Sequence, residues 1–356
     1  MKIIFLAPAN AIHTKRWVES LVNRGIKVLL ASQHPPMNGL DMDGVEYIKL
    51  PFHGVIGYFL NVFSLQRAIL NFRPDLLHVH YASGYGTTAA IVGFKPTILS
   101  VWGSDIFEFP NVSFLNRLLL RCNLMRADKI LSTSHAMALE TNKYTNKLIE
   151  VTPFGIDLDI FKPDRIPSIF AQGDIVVGTV KTLEEKYGIE YLIRAFQIVK
   201  AKYLEMPLKL LIVGGGLLEK HLKSLADDLG LNRCTVFTGF IPHSEIPKYH
   251  NMLSVSVSVS NSESFGVAII EACACEKPVV VSDVGGLPEV VEDGVTGIVV
   301  PSRDVIAIAA AIERLILDDE LRQNMGRAGR ERVKRLYDWN DNVSQMIDIY
   351  KTILAK

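Results

Sequence analysis

Short apolar runs separated by longer amphipathic segments place the strongest constraint on how this chain can fold. Continuous apolar runs are typical of parallel strands buried on both faces, with helices as the connecting segments. The pattern occurs as two successive series, and each series predicts a doubly wound α/β domain. The predicted strands are residues 2–7, 26–31, 76–80, 97–101 and 129–132 in the first series, and 175–180, 208–213, 235–237, 253–259 and 278–282 in the second.

A segment rich in turn-forming residues separates the two series. Phe161–Asp174 contains Pro163, Pro167 and Gly173, and we interpret it as the linker. Ligands of such folds bind beyond the carboxyl ends of the strands, so a cleft between two facing Rossmann-like domains is the expected site. The expected domains are residues 1–163, residues 164–338 and a final helix, 339–356, that packs back on the first domain.

The charge balance excludes one broad class of function. The 356 residues include 38 Lys and Arg and 38 Asp and Glu, so the formal net charge is zero. Proteins that bind any nucleic acid through its phosphates usually carry a net positive charge, so nucleic acid is not an expected partner.

The N-terminus and the cysteines favour a cytoplasmic protein. The sequence MKIIFLAPANA resembles a signal peptide only superficially, because its apolar run is short and His13, Lys15 and Arg16 follow. We interpret it as a buried first strand. No stretch reaches the ~18 uninterrupted apolar residues that a membrane span needs. The four cysteines are interpreted as reduced, small, buried residues.

A helix start that suits phosphate follows the strand that ends near Val259. Residues 260–281 contain Glu263, then Gly266 and then, inside the helix, Glu271. The free N–H groups of a first helical turn attract phosphate, and Gly266 permits close approach of a ligand to the backbone. The two carboxylates would accept hydrogen bonds from the hydroxyls of a sugar and a ribose. The alternative is that Glu263 caps the helix and Glu271 lies on a solvated face.

A pair of lysines follows another strand of the second series. Lys181 and Lys186 stand in the segment Gly178–Gly188, GTVKTLEEKYG. Two ammonium groups at this place would neutralise a diphosphate leaving group. The alternative is a solvated pair balanced by Glu184 and Glu185.

The glycine run Gly214-Gly215-Gly216 does not match the dinucleotide-binding fingerprint. Glu219 stands where the third glycine is required, and no acidic residue is well placed further along. The sequence therefore argues against a nicotinamide cofactor, and a tight turn that opens a helix is the alternative.

These segments resemble the signatures of glycosyltransferase family 4, the retaining transferases of the GT-B fold. ESFGVAIIEACACEKPVV resembles the family's glutamate–seven–glutamate motif, and GTVKTLEEKYGIEYLIRAF resembles its phosphate-binding strand, loop and helix. Further matches extend the resemblance over almost the whole chain: the first helix (HTKRWVESLVNRGIKV), the link between domains (VTPFGIDLDIFKP) and a loop facing the donor (VGGLPEVVEDGVTGIVVP). The resemblance implies two Rossmann-like domains that face each other across a cleft.

The resemblance also implies a role for each residue that matches these motifs. Glu263 would hold a hydroxyl of the transferred sugar, and Glu271 would bind the ribose hydroxyls. Lys181 and Lys186 would stabilise the departing diphosphate, so neither a metal nor another cofactor is expected. Further donor-binding positions are Phe265, Gly266 and Val267, through their backbone N–H groups, and Gly178 and Thr179.

The chain departs from the family pattern at several places. The family's phosphate loop usually has an arginine where this chain has Thr179 or Lys181, depending on alignment, so bidentate phosphate contact would be lost. Trp102 stands in place of the histidine of a His-Gly motif, with Asp105 after it. Glu276 replaces a usual glycine.

Polar residues at strand ends of the first domain are the acceptor-side candidates. His13 follows the first strand, where Pro8–Ala11 replaces a glycine-rich loop, and Asp105 follows a later strand. His80 ends another strand, beside His78 on the alternate face. For both of these histidines a structural role is the alternative.

Two further segments predict contact with a lipid-linked acceptor at an anionic membrane surface. Phe52–Phe63 is rich in aromatic residues, and Asn116–Lys129 is rich in arginine and leucine. Arg117 and Arg121 are four residues apart and so share a helix face. The alternative is a core-packed helix with solvated arginines. The aromatic residues are Phe52, Tyr58, Phe59 and Phe63.

The residues and the resemblance together predict a metal-independent, retaining glycosyltransferase of the hexosyltransferase class. The donor would be a nucleotide sugar, with uridine as the base on family frequency. The acceptor would be a glycan or lipid-linked molecule in the assembly of surface polysaccharide, lipopolysaccharide or glycolipid. We expect a cytoplasmic location, and peripheral attachment to the inner face of the membrane stays open. The alternatives are a nucleotide-sugar epimerase of the same architecture and a catalytically silent partner in polysaccharide assembly.

Overall fold

The computed structural model describes residues 1–36 and 44–355. The chain divides into two compact units, Met1–Pro153 with Asn340–Lys356, and Phe154–Trp339. Each unit is built on a parallel β-sheet. Within the described residues, no helix combines the length and the apolar character that crossing a membrane requires.

The first unit is a doubly wound α/β unit. Its described strands are β1 (Lys2–Leu6), β2 (Lys27–Ser32), β3 (Glu46–Lys49), β4 (Leu76–His80), β5 (Thr97–Ser100), β6 (Lys129–Ser132) and β7 (Ile149–Val151). Its described helices are α1 (Ile12–Asn23), α2 (Gly54–Leu60), α3 (Val62–Phe72), α4 (Gly84–Val92), α5 (Ser104–Phe107), α6 (Phe109–Val112), α7 (Phe114–Arg126) and α8 (His135–Thr141). The strand order is β3-β2-β1-β4-β5-β6-β7, and all neighbouring strands are parallel. The order reverses between β1 and β4, the switch point at which such sheets bind ligands.

The second unit repeats this architecture. Its strands are β8 (Ile175–Val180), β9 (Leu208–Val213), β10 (Thr235–Phe237), β11 (Val255–Ser258), β12 (Val279–Ser282) and β13 (Gly297–Val300). Its helices are α9 (Ile189–Lys202), α10 (Glu219–Asp228), α11 (Ile246–Met252), α12 (Val267–Ala274), α13 (Leu287–Val290), α14 (Val305–Leu317) and α15 (Asp319–Leu336). The parallel order β10-β9-β8-β11-β12-β13 has its switch point between β8 and β11.

Apolar strands fill the interior of each unit. Ile3–Leu6 of β1 have no exposed surface, and Leu210–Val213 of β9 are equally buried. Burial of these runs on both faces of a sheet supplies the main driving force for folding. The predicted fold class, two doubly wound α/β units, is confirmed.

The first unit ends at Pro153, ten residues before the expected boundary at residue 163. The backbone of Ile156 explains the difference, because it exchanges hydrogen bonds of 2.7 and 3.0 Å with the segment 337–339. The buried ring of Phe161 also packs against two histidine rings of the second unit. Residues 154–163 therefore belong to the second unit.

The last helix, α16 (Trp339–Leu354), belongs to the first unit from Asn340 onward. Arg24, which follows α1, donates hydrogen bonds of 3.1 Å to Asn340 and to Ser344. Tyr350 on the same helix is fully buried, and its hydroxyl contacts His78 of β4. The C-terminal helix thus completes the packing of the first sheet.

Candidate active site

An ion pair joins the loops that follow β8 and β11, two neighbouring strands of the second sheet. Lys181 Nζ lies 2.5 Å from Glu263 Oε2, and each side chain is only 11% exposed. Ser260 Oγ donates to the same carboxylate oxygen at 3.4 Å. Glu263 therefore pairs with a lysine and does not cap α12, whose N-cap residue is Gly266.

Tyr187 lies beside both lysines that the sequence assigns to the diphosphate. The Lys181 ammonium is 4.6 Å from the ring centroid and the Lys186 ammonium is 5.2 Å from it. Lys186 lies 3.3 Å from Glu184 and is 43% exposed, so it keeps the solvated position of the alternative interpretation, whereas Lys181 does not. The ring brings two ammonium groups to one site, an arrangement that suits a diphosphate.

Glycines allow close approach of the loops that support the ion pair. A β-carbon at Gly214 would lie 2.0 Å from the carbonyl oxygen of Lys181, and one at Gly285 would lie 1.8 Å from that of Glu263. Both glycines also have positive φ, 129° and 52°. Side chains are therefore excluded at both positions. The glycine run after β9 has a structural role beside the lysine loop.

The helix start predicted to face the donor begins at Val267, after Gly266 with φ of 109°. No side chain of the described residues caps it, so its first N–H groups are suited to an anion. Phe265 is buried, and its ring centroid lies 5.5 Å from those of Phe154 and Tyr337. The Phe265 side chain thus anchors the loop, which leaves the backbone for a ligand.

Gly178 and Thr179 lie inside β8 and not in the loop after it. They pair with Leu211 and Ile212 of β9. Thr179 is 2% exposed, and a β-carbon at Gly178 would lie 2.3 Å from the Leu211 carbonyl oxygen. The structure therefore places these two predicted donor positions within the sheet, beneath the loop that carries Lys181.

Glu271 is buried, at 5% exposure, and does not occupy the solvated face of the alternative interpretation. His243 Nε2 lies 3.5 Å from its Oε1, and His250 Nε2 lies 3.3 Å from its Oε2. Burial raises the pKa of Glu271, but the contacts with the two imidazoles outweigh burial and lower the pKa to about 2. The carboxylate is therefore held ionised, as a hydrogen-bond acceptor.

Sequence reasoning assigned no role to His243 and His250. Their spacing of seven residues was the available signal, because residues two helical turns apart share a face. His243 lies in a short 3₁₀ turn, His243–Glu245, that leads into α11, and His250 lies in α11 itself. Their partner on α12 follows only from the packing of the two helices.

Aromatic rings meet where β1, β4 and β5 end, next to the switch point of the first sheet. The Trp102 ring lies 4.3 Å from His80, 5.5 Å from His13 and 5.8 Å from Tyr81 between centroids. His80 is 1% exposed, and burial, followed by the charges of His78 and His13, lowers its pKa well below 6.5. The structure therefore brings the acceptor-side candidates His13 and His80 together around Trp102.

Asp105 joins the loops that follow β4 and β5. Its carboxylate accepts backbone N–H groups from Ala82, Trp102 and Gly103 at 2.7, 3.0 and 2.8 Å. The residue is 1% exposed. Burial raises the pKa of its carboxyl group, and the backbone hydrogen bonds, which lower the pKa, offset only part of that rise. Asp105 thus holds loop backbone, whereas the sequence predicted an acceptor contact.

His78 occupies the structural position of its alternative interpretation. Its Nδ1 lies 2.6 Å from the Tyr350 hydroxyl, and its Nε2 lies 2.8 Å from Ser100 Oγ. The side chain is fully buried, and burial lowers its pKa to about 3. It links β4 to β5 and to α16.

Two family models match the chain. Residues 2–134 match the family described as Glycosyl transferase 4-like, and residues 161–332 match the family described as Glycosyl transferases group 1. Each match falls mainly in one of the two structural units.

Several similar curated proteins are named as glycosyltransferases. The GDP-mannose-dependent alpha-(1-6)-phosphatidylinositol monomannoside mannosyltransferase of Mycolicibacterium smegmatis is 34% identical over 56% of this chain, and the match spans 56% of that protein. An uncharacterised glycosyltransferase of Methanocaldococcus jannaschii is 30% identical over 96% of this chain and 93% of the relative. The N-acetyl-alpha-D-glucosaminyl L-malate synthase of Bacillus anthracis is 27% identical over 79% of this chain and 75% of that protein.

Solved structures of similar fold include sucrose-phosphate synthase from Thermosynechococcus elongatus, with a TM-score of 0.83, 21% identity and coverage of 100% of this chain and 99% of that one. Anabaena Alr3699/HepE in complex with UDP has a TM-score of 0.84, 20% identity and coverage of 99% and 100%. At these identities the likeness concerns the fold. The resemblance drawn from the motifs is thus confirmed, and the chain belongs to the family 4 type of glycosyltransferases with the GT-B fold.

Proposed function

We propose that this enzyme transfers a hexosyl group from a UDP-sugar to a glycan or lipid-linked acceptor, with retention at the anomeric carbon and without a metal ion. The Lys181–Glu263 ion pair carries the proposal. It places a cation and a carboxylate at the carboxyl ends of β8 and β11, where doubly wound folds bind ligands. The proposed setting is the assembly of surface polysaccharide, lipopolysaccharide or glycolipid in the cytoplasm.

In the proposed reaction, the bond between the anomeric carbon and the diphosphate oxygen breaks. The acceptor oxygen bonds to the same face of that carbon, and the departing diphosphate oxygen takes the acceptor's proton. Lys181 and Lys186 stabilise the negative charge that develops on the diphosphate. Glu263 accepts a hydrogen bond from a sugar hydroxyl, and Glu271 accepts hydrogen bonds from ribose hydroxyls.

The nucleotide base is the finer part of the proposal. Uridine rests on the family's usual donor, and the Anabaena structure of similar fold holds UDP. Guanosine is the competing base, because the M. smegmatis relative is named as GDP-mannose-dependent. A panel of UDP-, GDP- and ADP-sugars separates the two.

The test measures thermal shift and donor turnover across that panel, with and without a glycan acceptor, and NMR of the product gives the anomeric configuration. We expect stabilisation by UDP-sugars and a retained linkage. Lys181→Met should lower turnover about a hundredfold, since it removes one charge from the departing diphosphate. Lys220→Met, at an exposed lysine of the same unit, should leave turnover unchanged.

Each other outcome overturns a stated part of the proposal. Preference for a GDP-sugar would show that the base is guanosine and not uridine. An inverted anomeric configuration in the product would contradict the retaining mechanism. A changed nucleotide sugar without an acceptor would favour the epimerase. Nucleotide binding without any turnover would favour the silent partner.

We also propose that the first unit attaches to an anionic membrane surface through α2 and α7, which both pack against α4. Phe114, Leu118 and Met125 are 74%, 49% and 65% exposed, and their spacing places them on one face of α7 with Arg121. Exposed apolar side chains beside arginines suit a bilayer interface of anionic lipid. Exposed apolar side chains of α2 and its flanks are Phe52, Val55, Ile56, Phe59, Leu60 and Phe63.

Tyr58 is an exception within the aromatic segment. It is half-buried, and its ring packs edge-on against Tyr85 at 5.2 Å. It therefore contributes to the interior of the first unit, and the proposed membrane surface does not include it.

Sedimentation with vesicles of phosphatidylglycerol tests the membrane proposal. The double variant Arg117→Gln/Arg121→Gln should weaken binding about thirtyfold, because each of the two arginines near an anionic surface contributes about 1 kcal/mol. The matched control is Arg314→Gln/Arg327→Gln, at two exposed arginines of the second unit. Equal binding by wild type and by the first double variant would refute the attachment.

A further inference from the structure

The carboxylate of Glu271 lies between two histidines that approach different oxygens. His250 is fully buried and lies 3.3 Å from Oε2, while His243 is 42% exposed and lies 3.5 Å from Oε1. The two imidazoles therefore do not compete for one lone pair. Each restrains a separate oxygen of the same carboxylate.

An ionised carboxylate only accepts hydrogen bonds, so each contact needs a proton on the imidazole Nε2. This tautomer also agrees with the surroundings of His250. Its Nδ1 is buried and has no hydrogen-bond partner among the described residues. A proton placed there would leave a buried donor unsatisfied.

Phe161 holds both imidazoles in place. Its buried ring lies edge-on to the ring of His243 at 5.8 Å and to that of His250 at 6.2 Å. Because this support comes from side-chain packing, the two Nε2 atoms and the carboxylate between them form a preorganised group.

The two oxygens of a carboxylate offer about four lone-pair directions in total. The histidines use one direction on each oxygen, so one further direction on each remains for a ligand. Two vicinal hydroxyls match that arrangement, because each would donate to its own oxygen. A 2′-deoxyribose has lost one of these donors.

We propose that His243 and His250 are positioning residues that orient the Glu271 carboxylate for the vicinal diol of a ribonucleotide, and so make the site select ribose over 2′-deoxyribose. This inference rests on the proposed function, since it concerns how the donor nucleotide is held. It adds two residues and a sugar selectivity to that site.

Calorimetric titration of the full chain with UDP and 2′-deoxy-UDP, and with GDP and 2′-deoxy-GDP, measures the selectivity directly. We expect wild type to bind the preferred ribonucleotide about tenfold or more tightly than its 2′-deoxy form, because a hydrogen bond to a charged group is lost. His250→Leu should reduce this ratio to near one. His250→Gln should retain much of it, since its amide nitrogen can donate from about the position of Nε2.

If the role of His250 were purely structural, His250→Leu would weaken the binding of the ribonucleotide and of its 2′-deoxy form equally. That result would overturn the inference. His243→Leu, at a half-exposed side chain, gives the same test where His250→Leu fails to fold. His221→Leu is the matched control, because this histidine is 60% exposed and lies near a different carboxylate, Glu190. It should leave the ratio unchanged.

The failure of this inference differs from the failure of the proposed function. Equal binding of ribose and 2′-deoxyribose forms by wild type would remove the selectivity and leave the donor site in place. Absence of any nucleotide binding by wild type would overturn both.

Discussion

His78 links three elements of the first unit, and its burial should make the stability of that unit depend on pH. Its ring is fully buried between the Tyr350 hydroxyl and Ser100 Oγ, at 2.6 and 2.8 Å. Burial lowers its pKa from 6.5 to about 3. The folded chain therefore keeps this imidazole neutral at pH values where the unfolded chain protonates it.

The sign and size of the effect follow from linkage. Between pH 6.5 and about 3 the unfolded chain binds one more proton at His78 than the folded chain, so stability falls as the pH falls. One pKa unit corresponds to about 1.4 kcal/mol, so lowering the pH to about 5 should cost about 2 kcal/mol of unfolding free energy through this residue. Stability from His78 is fully present above pH 6.5.

Hydrogen exchange read by mass spectrometry on the peptides of β4 and β5 measures the opening of this region. The variant His78→Gln keeps an amide near both hydroxyls but does not titrate. Between about pH 7.5 and pH 5, wild type should lose about 2 kcal/mol more opening free energy than the variant. His221→Gln, at a histidine with 60% exposure in the second unit, should behave as wild type.

The comparison is a difference between two pH responses, so the cost of the substitution itself cancels. Most of the titration of His80 cancels as well, because burial is the main cause of its lowered pKa and the charge of His78 is a smaller one. Equal losses for wild type and His78→Gln would refute the reasoning, because they would show that this imidazole is not kept neutral by the fold.

Three further predictions concern the second unit, and urea unfolding measures the change in stability in each. Lys181→Met should lower the free energy of unfolding by about 3 kcal/mol, because Glu263 is left as a buried unpaired charge. Adding Glu263→Gln should restore part of that loss. Gly285→Ala should destabilise by more than about 2 kcal/mol and lower donor turnover, whereas Gly294→Ala, with φ of 75° and no described atom within 4 Å, should cost only about 1 kcal/mol. Glu276→Gly should stabilise by about 1 kcal/mol because this residue has φ of 58°.

The central strands of both sheets could be predicted from the sequence because burial on both faces leaves continuous apolar runs. Three strands at sheet edges, β3, β7 and β13, could not. Glu46 and Lys49 of β3 are exposed, and the residues of β7 are all half-buried. A short, partly solvated strand carries little apolar pattern, so its identity depends on the neighbour with which it pairs.

Backbone conformation and helix packing are two further features that could not be predicted from the sequence. Glu276 stands where the family usually has a glycine, and the structure gives it a left-handed backbone, which is the conformation that glycine prefers. The sequence showed the substitution but not the φ angle that gives it meaning. In the same way, the contact of His243 and His250 with Glu271 depends on how α11 packs on α12.

The ion pair between Lys181 and Glu263 has a consequence for binding that the charges alone did not reveal. The sequence treated the lysine as a free cation for diphosphate and the glutamate as a free acceptor for sugar. In the structure each already satisfies the other at 2.5 Å, on loops fixed by close backbone contacts at Gly214 and Gly285. Under the proposed function, a donor has to divide this pair, with a sugar hydroxyl bound to Glu263 and the diphosphate bound to Lys181. Because separating a largely buried pair is costly unless both charges gain new partners, a donor that supplies both groups should be favoured over a diphosphate or a sugar alone.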